Sequence, residues 1–531
     1  VTATGLVCAA CGIELPPNSK FCNGCGASVS AASKSAEFKQ VTVLFADVVH
    51  SMDIAAAVGA ERLREIMTGL VSRCASVVQR YGGTVDKFTG DGIMALFGAP
   101  VALEDHAFRA CLAALDVQQE TQRLAAEVQG CDGIALQLRV GLNSGQVITG
   151  EIGSGPMGYT AIGEQVGMAQ RMESVAPSGG VMLSESTARL VEDFAVLGAP
   201  ELVPIKGADK PVPARRLLGI GDHEPARRGE SPLVGRAWEI ATVTAILDEA
   251  IGGAGCVVNI TGPPGIGKSR LVRESAAIAA NRGVPVFTTY CESHARDIPF
   301  HAVARLLRAA FGASDLDDRA ARAAIRAEVP DADPEDLLLL DDLLGIRDTT
   351  VALPEIAPDA RRRRVTALVN AVSLARRTPG VYVVEDAHWI DEISESMLAD
   401  FLAVTPQTPF MVLITYRPEY HGALTRVSGA QTIALRPLTD AQTSALTTEL
   451  LGSDSSMGGL AAQVGARAAG NPFFVEEMVR DLAERGLLHG EPGAYLLRGD
   501  VADVTVPATL QATIGTRIDR LDPVAKHTLN A

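Results

Sequence analysis

The chain has 531 residues, of which 47% are hydrophobic and 21% charged, the balance of a globular protein with three or four domains. Its formal net charge of −16 speaks against a general nucleic-acid surface, which needs a basic stripe to neutralise phosphates. It holds no apolar run of about 18 residues and no charged-then-apolar leader, so the expectation is a cytoplasmic protein without a membrane span.

The fold class read from the sequence is multidomain α+β and α/β. Residues 1–30 contain CAACGIELPPNSKFCNGCG, two Cys-x-x-Cys pairs with ten residues between them. A tight turn aims both sulfurs of a pair at one metal, and two such turns complete a tetrahedral Zn²⁺ site from Cys8, Cys11, Cys22 and Cys25. So short a zinc ribbon has no apolar core and would depend on the metal to fold; it would offer a surface to a protein partner. The other five cysteines, Cys74, Cys111, Cys131, Cys256 and Cys291, lie in apolar stretches and read as small buried hydrophobes.

After an Ala/Ser-rich linker (31–38), residues 39–219 alternate strand and helix patterns with Gly-rich hairpin signals, which predicts an α+β domain. The strand QVTVLFADVV is followed by an amphipathic helix over about 60–80. Next come two short strands around the Gly-Asp-Gly of GGTVDKFTGDGIMALFG, a helix over roughly 105–128 and the strand IALQLRVGLNSGQVITGEIG. Asp47 ends the first strand and Asp91 occupies the turn. Carboxylates at the ends of neighbouring strands can meet at one sheet edge, where their repulsion makes a divalent cation the natural companion; two surface turn residues would read the same way. In GYTAIGEQVGMAQRME (158–173), Gly163 and Gly167 interrupt a helix pattern. A glycine inside a helix costs about 1 kcal/mol against alanine, so Gly167 calls for a reason.

A second linker (220–231) leads to residues 232–425, whose alternating strands and helices predict a parallel α/β domain. GPPGIGKS (262–269) fits G-x-x-x-x-G-K-[ST] between an apolar strand and a helix. In that context the loop amides around Gly262, Gly265 and Gly267 cradle phosphates, Lys268 reaches the outer phosphates and Ser269 holds Mg²⁺ of a bound Mg-ATP. Glu385 and Asp386 end the buried strand of VYVVEDAHW; one would hold Mg²⁺ and the other polarise the attacking water, and the sequence leaves the assignment open. Residues 426–502 read as helical and 503–531 as the start of a further, truncated helical module; the family resemblance given below implies a helical lid and a winged-helix-like module there. The expectation is therefore a fragment of a longer protein.

Residues 39–219 resemble the class III nucleotide cyclases along their whole length, on FADVVHSM, VDKFTGDGIMALFG, RVGLNSGQVITGEIG, YTAIGEQVGMAQRME and IKG. The resemblance implies that Asp47 and Asp91 carry two Mg²⁺ or Mn²⁺ ions and that the backbone from Val48 to Ser51 holds phosphates. It also implies a site shared across a head-to-tail homodimer, so that a monomer would be inert. Lys87 stands where adenylate cyclases place a lysine that donates to adenine N1. Thr160 stands where most carry an aspartate, and the subclass resembling bicarbonate-responsive cyclases uses this Lys/Thr pair, which favours ATP over GTP. Arg171 matches an arginine that stabilises the transferring phosphoryl, and Lys206 of IKG is a further phosphate contact. Four residues before Arg171 the family has an asparagine; here it is Gly167.

Residues 232–500 resemble the signal-transduction ATPases with numerous domains, relatives of the AAA+ ATPases, on LVGR, the phosphate loop, VVEDAHWID, LITYRPE and GNPFFVEEM. By that resemblance Arg417 senses the terminal phosphate and Pro472 lies near the adenine. The implied protein is an adenylate cyclase converting ATP to cyclic AMP and pyrophosphate under control of a switch ATPase. The alternative is a regulator whose degenerate cyclase domain senses ATP or dimerises, with output through the ATPase and further C-terminal residues, to DNA in one version.

Overall fold

The computed structural model describes residues 6–7, 14–15, 37–88, 91–151, 159–192, 194–207, 210–221, 233–314, 316–346, 353–454 and 457–497. Strands β1 (Leu6–Val7) and β2 (Glu14–Leu15) pair antiparallel, Leu6 opposite Leu15. The expected zinc ligands Cys8, Cys11, Cys22 and Cys25 lie outside the described residues, as do both linkers for the most part and the expected module at 503–531. The rest divides into two compact units, one before and one after the second linker.

The first unit runs β3 (Glu37–Val48), α1 (Ser51–Val58), α2 (Ala60–Arg80), β4 (Thr84–Phe88), β5 (Gly92–Phe97), α3 (His106–Asp132) and β6 (Leu138–Glu151). It continues with β7 (Tyr159–Ile162), α4 (Glu164–Val175), β8 (Val181–Ser184), α5 (Glu185–Val191), β9 (Ala195–Leu197), β10 (Glu201–Val203) and β11 (Val212–Ile220). Its sheet has the order β10-β11-β8-β6-β3-β5-β4, with β7 pairing β6 and β9 pairing β11; only β6 and β8 run parallel. The apolar run of β3 suits its central place, because it is covered on both faces. Leu44, Ala46 and Val48 join the core under α1, α2, α3 and α5, while Val41, Val43 and Phe45 pack with Ala169 of α4.

Not every cysteine is a buried hydrophobe. Cys74, Cys111 and Cys291 are buried, Cys256 is partly covered and Cys131 is exposed in the last turn of α3, where the helix has left the sheet.

The second unit holds α6 (Ala237–Ile251), β12 (Cys256–Thr261), α7 (Lys268–Asn281), β13 (Val286–Tyr290), α8 (His301–Ala310), α9 (Asp318–Glu328), α10 (Pro334–Leu343) and α11 (Pro358–Ala375). Then come β14 (Gly380–Glu385), α12 (Glu392–Val404), β15 (Phe410–Tyr416) and β16 (Gln431–Ala434). The lid follows as α13 (Asp440–Leu451), α14 (Gly458–Ala468), α15 (Pro472–Glu484) and the short pair β17 (Leu488–His489) and β18 (Leu496–Leu497). The five-stranded sheet is parallel throughout, in the order β13-β14-β15-β12-β16. It reaches beyond residue 425: the short edge strand β16, exposed at three of its four residues, is too polar to announce itself in the sequence. The lid helices gather their own core around Leu446, Leu460, Val475 and Met478, which Val234 of LVGR joins.

Candidate active site

In the first unit the two aspartates meet at a strand end. Asp47 lies opposite Gly92 in the β3–β5 register, so the residue before Gly92 comes beside it. The Val48 amide donates to Asp91 O at 3.3 Å, and Ser51 Oγ donates to Asp91 Oδ2 at 2.6 Å. Burial, then the Asp91 charge and a hydrogen bond between the two carboxyls, push the Asp47 pKa up to about 7. Two like carboxyls brought this close fit a divalent cation, although Arg139 stands opposite Asp47 in the β3–β6 register and among the described residues no group of three or more His, Cys, Asp or Glu is arranged to hold one.

Two of the amides in the stretch expected to hold phosphates are already engaged. The amides of Val48 and Val49 are taken, by Asp91 O and by Gln137 O at 2.9 Å. The amides that open α1, from Ser51 and Met52, are the unpaired ends of a helix.

Helix α4 lies flat on β6 because two glycines let it. A Cβ on Gly141 would stand 2.0 Å from Glu173 N, and one on Gly145 would stand 2.7 Å from Gln165 Cδ. Asn143, between them, donates through Nδ2 to Gln165 O at 2.9 Å and to Gln165 Oε1 at 2.8 Å. The stripe Gln165, Ala169, Glu173 thus faces the sheet, which turns Gly167 and Arg171 the other way. No packing explains Gly167: a Cβ there meets nothing within 4 Å. Arg171 has no hydrogen-bond or ion-pair partner among the described residues, and its Nη2 lies 3.7 Å from where a Cβ on Gly207 would stand, which brings the IKG turn and its exposed Lys206 beside it.

Glu173 is a residue that sequence reasoning missed. It is buried at 8% exposure, its charge pushes Asp47 upward, and its own pKa is raised by burial against the opposing pull of Ser174 and Arg139. The spacing 165-169-173 was the available signal. Lys87 sits at a bulge in β4, half-exposed, with Nζ 3.8 Å from Asp86 Oδ2 and, among the described residues, no ion pair to Asp47 or Asp91. Thr160 is placed by its backbone, opposite Gly150 in β6–β7.

In the second unit the loop Gly262–Gly267 joins β12 to α7, with Gly265 (φ 75°) and Gly267 (φ 99°) in the left-handed region that glycine tolerates. Lys268, buried at 7% exposure, donates from Nζ to Gly262 O at 2.9 Å and Pro263 O at 3.2 Å. The two carboxylates at the end of β14 stand in different surroundings. Glu385 ends β14 in hydrogen-bond contact with the Ser269 hydroxyl, and burial pushes its pKa up to about 7 against the pull of Ser269, Arg273 and Lys268. That hydroxyl–carboxylate pair fits Mg²⁺. Asp386 is left-handed (φ 55°), donates its amide to Thr415 Oγ1 at 2.8 Å and keeps its carboxyl 45% exposed, at the position of a group that addresses water. Arg417 directly follows β15 and is 9% exposed. Pro472 lies against the loop, 4.0 Å from where a Cβ on Gly267 would be.

Comparison with known families matches three stretches of the chain. Residues 33–212 match the adenylate and guanylate cyclase catalytic domain, residues 232–414 an AAA ATPase domain, and residues 439–494 a domain of unknown function. The chain carries a class III nucleotide cyclase domain and an AAA ATPase domain. An uncharacterized protein of Rhizobium meliloti is 28% identical over 424 residues, 77% of this chain and 40% of that protein. An adenylate cyclase of Mycobacterium tuberculosis is 29% identical over 171 residues, 32% of this chain and 38% of that enzyme. A membrane guanylyl cyclase of Dictyostelium discoideum is 28% identical over 157 residues, covering 29% and 10%. The chain thus spans at most 40% of the length of these curated relatives. Among solved structures, the adenylyl cyclase CyaB of P. aeruginosa matches with 26% identity and a TM-score of 0.33, covering 36% of this chain and 98% of that one. Among the described residues no helix is long and apolar enough to cross a membrane.

Proposed function

We propose that the cyclase domain converts ATP to cyclic AMP and pyrophosphate in a homodimer, and that the attached ATPase regulates it by its nucleotide state. The observation that carries the proposal is the Asp47–Asp91 carboxyl pair, held together beside the opening amides of α1. Two Mg²⁺ or Mn²⁺ ions bound there supply a lowered pKa at the ribose 3′-hydroxyl and neutralise triphosphate charge.

The chain's own residues do the rest. Ser51 fixes the Asp91 carboxylate, and the opening amides of α1 receive phosphate oxygens. Arg171, without a carboxylate partner among the described residues, is available to the charge that grows on the transferring phosphorus, with Lys206 nearby. Lys87 donates to the adenine ring nitrogen and Thr160 accepts from its amino group, both from a second copy of the chain. The lack of contact between Lys87 and the aspartates within one chain supports that division. So does an exposed apolar row on adjacent strands, Phe38 (69% exposed) opposite Ile148 and Ile148 opposite Ile162, which a second copy would cover. The cysteines at 8, 11, 22 and 25 form a structural Zn²⁺ ribbon in this reading, and Arg417 faces the terminal phosphate of the ATPase nucleotide.

The deciding experiment measures cyclic AMP from the 531-residue chain with Mn²⁺-ATP, beside Asp47→Ala. Signal in the first and none in the second is expected; an equal signal in both ends the proposal. Unchanged cyclase output in Lys268→Ala would end the regulatory part alone. Gly167 favours a second reading, a weakly active domain used to sense ATP or dimerise, and that reading stands if dimer and ATP binding persist without product.

A further inference from the structure

Every carbonyl from Gly262 to Ile266 in the phosphate loop accepts a hydrogen bond. Lys268 Nζ serves Gly262 O and Pro263 O; Asn471 Nδ2 serves Pro264 O at 3.0 Å; the Phe473 amide serves Gly265 O at 3.3 Å; Arg236 Nη2 serves Ile266 O at 3.1 Å. With the carbonyls turned toward these donors, the amides of Gly265 and Gly267 are left without an acceptor among the described residues, the arrangement an anion needs.

Two of the five carbonyls are held from the lid, by the segment that opens α15. Asn471 occupies the N-cap position of that helix, where an asparagine ordinarily accepts a bond from the first-turn amides. Here it makes no cap bond and reaches across to the loop instead. The fit is close: a Cβ on Gly265 would stand 2.8 Å from Asn471 Oδ1 and 2.9 Å from Phe473 Cβ. Gly265 is therefore needed both for its positive φ and for the approach of the lid. Arg236, buried at 6% exposure, adds a third tie, because its Nη2 also donates to Arg436 O at 2.8 Å, between β16 and α13. Gln442 of the α13 capping box then meets Gly235 O at 3.4 Å.

We propose that Asn471 is a positioning residue of the nucleotide site: from the lid it holds the phosphate loop in its anion-binding shape, so lid docking and phosphate binding are one coupled equilibrium. The proposal rests on the reading of GPPGIGKS as an ATP site. Coupling is reciprocal, so ATP must also hold the lid down.

The test uses the whole chain with Mg²⁺-ATP, and Lys268→Ala defines the share of binding that belongs to the loop. Asn471→Ser keeps a neutral, good N-cap residue while being too short for Pro264 O, so α15 itself should not suffer. The expected result is loop-borne affinity weaker by roughly 5- to 10-fold, the worth of one hydrogen bond. Hydrogen exchange should show ATP slowing the amides of Phe473 and Val475 in the wild type and failing to do so in the variant. The melting temperature without nucleotide should stay level or rise. Wild-type affinity together with wild-type protection in Asn471→Ser overturns the proposal. Absence of any Lys268-dependent ATP binding in the unmutated chain overturns the ATP-site reading beneath it.

Discussion

Gly167 and Arg171 stand one helical turn apart on the face of α4 turned away from β6, and a side chain added at Gly167 meets no atom within 4 Å. Nothing in the fold requires glycine there, so the residue subtracts a polar group without gaining a close approach. Gly167→Asn should raise cyclic AMP production by about 10- to 100-fold, because one preorganised polar contact to a transition state is worth on the order of that much or more. It should also stabilise α4 by a few tenths of a kcal/mol, since asparagine is a slightly better helix residue than glycine. Turnover and melting temperature measured on the same preparation check both; a more stable chain with unchanged turnover would mean that another group already fills the role.

The aspartate pair predicts a trade between stability and activity. Asp47 has a folded pKa near 7 against 3.8 for the ordinary carboxyl, so the metal-free folded state loses stability as pH rises from about 4 to 7. Asp47→Asn should therefore melt higher than the wild type at pH 8 in a chelator, by about 1 kcal/mol after solvent screening. Cyclase activity should fall by at least about 100-fold. Added Mn²⁺ should raise the melting temperature of the wild type and leave the variant unmoved.

Legibility in the sequence followed the physics of each feature. The positions of Asp47, Asp91, Lys268 and Ser269 at strand ends and at a helix start are legible because each lies at a fixed offset from an apolar run. The sequence does not distinguish Glu385 from Asp386, because the Ser269 hydroxyl that contacts Glu385 lies far away in the chain. Asn143 is not legible in the sequence because its contacts depend on how α4 lies across β6, where Gly141 and Gly145 leave room for the helix; for Glu173 the spacing 165-169-173 is the one signal. The edge strand β16 escaped because its four residues carry too little apolar pattern to mark it.

In the proposed reading, base choice in the cyclase falls to Lys87, a half-exposed residue. Lys87 is 53% exposed, and among the described residues its ion-pair partner is its neighbour Asp86. Lys87→Glu should leave the melting temperature within about 1 °C, as surface substitutions do. It should move the ratio of ATP to GTP turnover toward GTP by about 10-fold or more, because a carboxylate accepts from guanine where the ammonium donated to adenine. An unchanged ratio would remove Lys87 from the base pocket.

His106 opens α3 at 1% exposure, with Nδ1 2.6 Å from Thr42 Oγ1, and Thr42 Oγ1 lies 2.7 Å from Ser144 Oγ, which in turn lies 2.9 Å from Thr187 Oγ1. The chain of hydroxyls ties the N-terminus of α3 through β3 and β6 to α5, in the layer under the cyclase sheet. Burial pushes the His106 pKa down to about 4 from 6.5, against a weaker upward pull from Asp105. Between those values the unfolded chain binds a proton that the folded chain refuses, so stability is lost as pH falls from about 6.5 to 4. The full shift corresponds to about 3 kcal/mol. Asp47 acts in the opposite direction over much of the same range, so the whole-chain curve mixes the two; the difference between wild type and His106→Gln isolates the imidazole. The variant should be less stable at pH 7.5, having disturbed the hydroxyl chain, yet lose less on acidification. Denaturant unfolding at pH 7.5, 6 and 5 should show the gap between the two proteins narrowing with each step down. A constant gap would mean that His106 takes its proton inside the fold, and that the Thr42 hydroxyl then serves as acceptor to an imidazolium.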